Sequence, residues 1–204
     1  MKQSLVVFLH GVGSNGSDLA PLGDMWRQTL PDTRFAAPDA PTPFDMGPGY
    51  QWFSLKGITQ DNRPQRVLAA RTDFDELISG LMAEQGMAEN PERVVLAGFS
   101  QGSIMALDAV ASGRWPFAAV VAFSGRLSSP LPLTPACKTP VLLIHGADDA
   151  VIPSWESERA GTTLQASGMS ATAAVLPGLG HGISGEGVQM AGRFIARALA
   201  ATFK

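Results

Sequence analysis

Six short apolar or β-branched runs, at residues 5–9, 34–37, 93–97, 118–123, 141–145 and 173–176, are separated by longer stretches, two of which carry a helical period. Val67, Ala70, Phe74, Leu77, Ile78 and Leu81 recur at steps of three and four, as do Val188, Ala191, Phe194, Ile195, Ala198 and Leu199. Apolar strands alternating with amphipathic helices predict an α/β fold, a mainly parallel sheet of about six strands with helices on both faces. With 204 residues and 45% hydrophobic content the chain is expected to form one domain, residues 1–204, around one sizeable core.

A formal net charge of −3, with no Lys/Arg cluster, argues against binding of nucleic acid. The first apolar run, residues 5–9, is shorter than the roughly 7–15 residues of a signal-peptide core. No uninterrupted apolar stretch approaches the roughly 18 residues needed to span a membrane, so a cytoplasmic protein is expected. The single cysteine, Cys137, has no internal disulfide partner, and its surroundings give no reason to expect a reactive thiolate.

One stretch breaks the alternation. Residues 38–64 hold five prolines and no sustained period, yet they include Phe44, Met46, Tyr50, Trp52, Phe53 and Leu55, too many large apolar groups for a plain linker. The segment is expected to form a wall or partial lid over a substrate pocket, with Phe44, Trp52 and Phe53 facing the substrate. The alternative is a structural loop with a small core of its own.

Gly98-Phe99-Ser100-Gln101-Gly102 is the one Gly-x-Ser-x-Gly pattern in the chain. An expected strand precedes it at 93–97 and an expected helix follows from Ser103 to Leu107, giving the strand, sharp turn and helix of a nucleophile elbow. A serine in such a strained turn projects its hydroxyl outward, and side chains at 98 and 102 would collide with neighbouring backbone. The start of the helix also offers N–H groups to negative charge developing on a substrate.

A serine hydroxyl is a weak nucleophile at neutral pH, so it needs a base, and the base needs an orienting acid. After such an elbow the chain order is nucleophile, acid, histidine. Of the three histidines, His10 lies far upstream and His145 precedes the candidate acids, which leaves His181 in the glycine-rich loop 177–184. Asp148 and Asp149 follow the run at 141–145, where open α/β sheets place their sites, and spacing leaves both open.

His10-Gly11-Val12-Gly13-Ser14-Asn15-Gly16 closes the first strand and admits two functions. As Gly-x-Gly-x-x-Gly it could cradle a dinucleotide, with Asp39 gripping a ribose, in an oxidoreductase. The helix-start residues Ser17 and Asp18 come too late for that, since a pyrophosphate-binding helix begins at the third glycine. The favoured alternative is an oxyanion loop, where an amide of this turn joins that of Gln101.

Taken together, the segments from Phe8 to Gly13, Gly98 to Ser103, Ser124 to Leu127, His145 to Pro153 and Gly178 to Ser184 resemble the phospholipase/carboxylesterase family, which includes acyl-protein thioesterases. The resemblance implies a minimal α/β-hydrolase fold and ester or thioester cleavage through an acyl-enzyme, with no metal or organic cofactor. It implies Ser100 as nucleophile, His181 as base and Asp149 as orienter, because the family pattern His-Gly-x-x-Asp-x-x-Val-Pro puts its acid there, with Ile152 where valine is usual. It further implies the amides of Val12 and Gln101 as the oxyanion hole and the segments 38–41 and 52–53 as pocket-side. Asp39 stands where asparagine is more usual, and 46–51 is not a close match, so the substrate is less defined than the reaction. A small-molecule or lipid-like acyl ester, or an acylated protein, fits, and the resemblance admits a homodimer. A different class of function would keep the fold as a non-catalytic binder of an apolar ligand. Arg126 is either a solvated charge or a cation at the pocket mouth that attracts an acidic substrate.

Overall fold

The computed structural model describes residues 3–135 and 139–202; Cys137 lies outside the described residues. In chain order the elements are β1 (Ser4–Leu9), α1 (Pro21–Trp26), β2 (Thr33–Ala36), the hairpin strands β3 (Thr42–Pro43) and β4 (Tyr50–Gln51), α2 (Arg63–Ala69), α3 (Arg71–Glu84), β5 (Val94–Phe99), α4 (Gln101–Ala111), β6 (Ala119–Phe123), β7 (Val141–Gly146), α5 (Trp155–Ala166), β8 (Ala171–Leu176) and α6 (Gly185–Thr202). The main sheet has the order β2-β1-β5-β6-β7-β8 and every neighbouring pair is parallel. The strand order reverses beside β1, so the carboxyl ends of β1 and β5 flank the switch point where α/β sheets open a crevice.

The pleat distributes each strand between two cores. Leu5, Val7 and Leu9 pack with Phe74 and Ile78 of α3, Met105 of α4 and Leu164 of α5. Val6 and Phe8 face the other way, toward Trp26 of α1 and Val188, Ala191 and Ile195 of α6. The Trp26 indole N–H donates to the Val188 carbonyl at 2.9 Å and so ties α1 to α6. All six expected strands form. The helical period at 67–81, expected as one element, is divided at Ala70 between α2 and α3.

That division places Arg71 at the first position of α3, from which it binds a carboxylate on α4. Every residue of α4 is buried, so Asp108 cannot rely on water. Its carboxylate accepts two hydrogen bonds from Arg71 and one from Arg114 Nη1, at 2.8–2.9 Å. Arg114 also donates through Nε to Asp75 at 2.8 Å, linking α3, α4 and the turn after α4. Burial opposes ionisation of Asp108, but the two guanidinium groups outweigh it and hold the carboxyl below the ordinary range.

Residues 40–52 of the proline-rich segment clamp the turn after β1. Tyr50 exchanges two 2.8 Å backbone hydrogen bonds with Gly13 and Ser14, fastening β4 to the turn after β1. The Ala40 amide donates to His10 Nε2 at 2.9 Å, and the Trp52 indole N–H donates to the His10 carbonyl at 2.8 Å. Because Nε2 accepts, the ring proton sits on Nδ1 and is given to the Gly11 carbonyl at 2.7 Å. Burial lowers the His10 pKa below its ordinary value, despite the Gly11 carbonyl and the charges of Asp39 and Asp18.

Two outcomes follow from these buried groups. Asp108→Ala leaves two guanidinium groups without their shared partner and should cost about 3–5 kcal/mol at neutral pH in urea unfolding. Since the folded Asp108 carboxyl binds its proton more weakly than the unfolded one, the wild-type network should also lose stability as pH falls below about 4, and the variant should show a shallower acid dependence. His10 acts at higher pH: its folded pKa is depressed, so stability should decline as pH falls from about 6.5. His10→Phe should be less stable than wild type at pH 7.5 by about 1–3 kcal/mol, because the Ala40 N–H loses its acceptor, and should flatten that decline. An unchanged slope in the variant would exclude His10 as its source.

Candidate active site

The backbone of Ser100 adopts φ 51° and ψ −113°, a strained conformation for a residue with a side chain. It is held from three sides. The Ser100 amide donates to the Phe123 carbonyl at the end of β6, at 2.9 Å. A Cβ on Gly98 would lie 2.5 Å from the Ser103 nitrogen, and one on Gly102 would strike the Leu9 carbonyl oxygen. Glycine at both positions therefore lets the first turn of α4 press against β1, which aims the serine at the crevice.

His181, in the loop between β8 and α6, points its Nε2 at Ser100 Oγ at 3.0 Å and its Nδ1 at Asp149 Oδ2 at 2.7 Å. Its ring packs on Phe99 with centroids 5.0 Å apart. Of the two neighbouring acids, Asp149 is buried whereas Asp148 is exposed and uses its backbone amide to hold the Leu179 carbonyl at 2.9 Å. Asp149 Oδ1 accepts the amides of Val151 and Ile152 at 2.8 and 2.9 Å. Burial disfavours its charge, yet the His181 hydrogen bond and these two amides prevail and keep its carboxyl below the ordinary range.

A second histidine touches the same carboxylate. His145 Nε2 lies 3.0 Å from Asp149 Oδ2 and 2.8 Å from the Ile152 carbonyl, while Nδ1 meets Ser157 Oγ at 2.6 Å. Two acceptors around Nε2 require the proton there, leaving Nδ1 to accept from Ser157. His145 is fully buried and does not reach Ser100, which separates its part from that of His181. Chain order disfavours it as a base without revealing this contact, because the Ser157 partner that orients its ring comes from α5 and leaves no local signature.

Val12 lies on the turn after β1, and the amides of Val12 and Gln101 serve no backbone or side-chain acceptor among the described residues. Val12, Leu19, Phe99, Val151 and Ile183 surround Ser100 and His181 in an apolar cleft of about 390 Å³. The Gln101 side chain has a separate duty: its Nε2 donates to the Phe53 carbonyl at 2.7 Å and its Oε1 accepts the Trp52 amide at 2.8 Å. The structure does not bring the expected pocket aromatics to this cleft. Trp52 and Phe53 are 4% and 6% exposed and sit in the core, where Trp52 meets Phe74 edge-on at 5.6 Å. Phe44 packs over Gly13 and Gly47 on the hairpin. Burying two large rings was worth more than exposing them at a site already lined by aliphatic groups.

The dinucleotide alternative fails on the same turn. The Gly16 amide is taken by Asp39 Oδ1 at 2.8 Å, and a short 3-10 turn (Gly16–Asp18) follows in place of a long helix. Arg126 is not a solvated charge either; its side chain is 12% exposed and pairs with buried Glu156 at 3.1 Å.

Comparison with known proteins agrees with this architecture. The sequence pattern of the phospholipase/carboxylesterase family matches residues 1–199. The chain is 34% identical over 189 residues to esterase YpfH of Escherichia coli (strain K12), spanning 93% of this chain and 80% of that protein. Acyl-protein thioesterase 1 of Gibberella zeae is 26% identical over 214 residues, covering 95% of this chain and 90% of its own. Among solved structures, esterase PE8 superposes with a TM-score of 0.89 at 40% identity, over 97% of this chain and 93% of that one. SOBER1 of Arabidopsis thaliana gives 0.77 at 25% identity, over 97% and 100%. Among the described residues no helix is long and apolar enough to cross a membrane. A family match over nearly the full length, on a sheet whose crevice holds a strained serine, leaves one conclusion: the chain belongs to the phospholipase/carboxylesterase family and is a serine hydrolase of the carboxylesterase and thioesterase type.

Proposed function

We propose that Ser100, His181 and Asp149 carry out the ester or thioester hydrolysis in this chain, with the amides of Val12 and Gln101 receiving the oxyanion. The observation that carries this reading is the continuous relay from Ser100 Oγ to His181 Nε2 at 3.0 Å and from His181 Nδ1 to Asp149 Oδ2 at 2.7 Å. Asp149 is acceptor-only when ionised, so it fixes the His181 proton on Nδ1 and leaves Nε2 free to take the serine proton.

Ser100 Oγ attacks the acyl carbonyl as its proton passes to His181 Nε2, and the carbonyl oxygen becomes an oxyanion held by the two amides. Collapse of the adduct expels an alkoxide or thiolate, which takes the proton from His181. Water then gives a proton to the same nitrogen, attacks the acyl-enzyme and releases the acid, restoring Ser100. The apolar lining of the cleft favours an uncharged group on one side of the reacting carbon. The substrate class is an acylated small molecule or lipid, or an acylated protein.

Ser100→Ala should abolish the burst of nitrophenol from p-nitrophenyl acetate and lower kcat about a millionfold, by analogy with other serine triads. Asp149→Asn should lower kcat about ten-thousandfold, since an amide can present N–H to His181 and favour the wrong tautomer. Rapid-mixing kinetics read both, with circular dichroism reporting the fold. A surviving burst in Ser100→Ala, or an Asp149→Asn enzyme within tenfold of wild type, would overturn the corresponding role.

A further inference from the structure

A second cavity, of about 440 Å³, opens between the end of the proline-rich segment, the chain after β6 and the start of α5. Arg63, Arg126, Arg159, Glu156, Gln60 and Ser128 are among its lining residues. Three guanidinium groups here lie around one carboxylate. Glu156, 2% exposed, binds Arg126 at 3.1 Å and Arg159 at 2.5 Å. The Arg63 guanidinium makes no ion pair or hydrogen bond among the described residues. It is half-buried, and burial together with the nearby charge of Arg126 pulls its pKa below the ordinary value, only partly offset by Glu156. Uncompensated like charges around a concave, partly desolvated space are costly unless an anion enters.

The chain that lines the cavity continues from the chain that holds the reacting centre. Phe123, whose carbonyl holds the Ser100 amide, is three residues before Arg126, a span of at most about 11 Å. Between them, Ser124 Oγ donates to the Gly182 carbonyl beside His181, and a Cβ on Gly125 would lie 3.6 Å from the Ser100 carbonyl oxygen. A substrate whose carbonyl sits at Ser100 would follow this stretch of chain to place a charged group in the cavity.

We propose that this cavity is a subsite for an anionic group of the substrate, a carboxylate or phosphate carried a few bonds from the scissile carbonyl, with Arg63 as its principal unpaired cation and Arg126 beside it. The proposal rests on the hydrolase reading above. The apolar cleft and the cationic cavity then flank the serine with opposite preferences, so the enzyme selects esters that are apolar on one side of the carbonyl and charged on the other. Guanidinium groups suit both anions, because their donors match paired oxygens.

The test compares hydrolysis of neutral p-nitrophenyl butyrate with that of the p-nitrophenyl hemiesters of succinate, glutarate and adipate, in wild type, Arg63→Gln and Arg63→Lys. The ratio of kcat/KM for the best hemiester over the butyrate should fall about tenfold in Arg63→Gln through a rise in KM, and recover in part in Arg63→Lys. Added salt should narrow the wild-type preference. Ser100-dependent hydrolysis of the butyrate, with the same ratio in wild type and Arg63→Gln, would overturn the subsite and leave the hydrolase reading intact. If inorganic phosphate alters turnover of the butyrate while the hemiesters gain nothing, the cavity serves a free anion and the substrate assignment is overturned. No hydrolysis of any ester, and no labelling of Ser100 by a fluorophosphonate, would overturn the hydrolase reading and the subsite with it.

Discussion

A carboxylate without solvent exposure must find donors for its lone pairs, and Asp149 finds four. Two backbone amides fold the loop 149–152 around it, His181 brings the loop after β8, and His145 brings the end of β7 together with Ser157 of α5. The four donors come from three pieces of chain, so the cost of burying one charge is offset only when all three have arrived. The catalytic geometry and the local fold thus share one electrostatic requirement. Asp149 stays ionised in a buried place, and His181 has a fixed tautomer and direction as a result.

The other end of the relay is held by close packing rather than charge. Ser100 remains at a positive φ because α4 is pressed on β1 at Gly102 and because the Phe123 carbonyl engages its amide. The clamp of residues 38–53 does the same for the opposite lip of the crevice. Tyr50, Ala40 and Trp52 bind the turn after β1, and Gln101 grips the backbone of Trp52 and Phe53. The two amides proposed to receive the oxyanion need a fixed separation, and the Gln101 side chain belongs to the clamp that braces its own backbone.

Much of this was legible from the chain. Strand runs such as 5–9 and 141–145 are buried on both faces and so are apolar throughout, while α6 announces itself by a stripe facing one core. The elbow was legible because Gly-x-Ser-x-Gly is a compact pattern between a strand and a helix, although of its glycines only Gly98 answers to a contact within five residues and Gly102 answers to β1. What escaped was non-local. Trp52 and Phe53 are as apolar as pocket residues must be, and nothing in their neighbours tells a pocket wall from a core contact. His145 was disfavoured as a base for a reason of order, yet the ring orientation that brings it to Asp149, four residues on, is set with Ser157 of α5.

The sequence by itself determined the class of fold, the elbow at Ser100 and the histidine at 181, because strand burial, helical period and tight-turn sterics act over a few residues and leave their mark in residue type. Spacing left Asp148 and Asp149 open and the family resemblance pointed to Asp149, but only the tertiary structure set its carboxylate against His181, fastened residues 40–52 to the turn after β1, and drew Arg63 beside Arg126 and Glu156. Those choices depend on which side chains lose water and which charges come within a few ångströms of one another, and such distances are set by chain segments far apart in sequence.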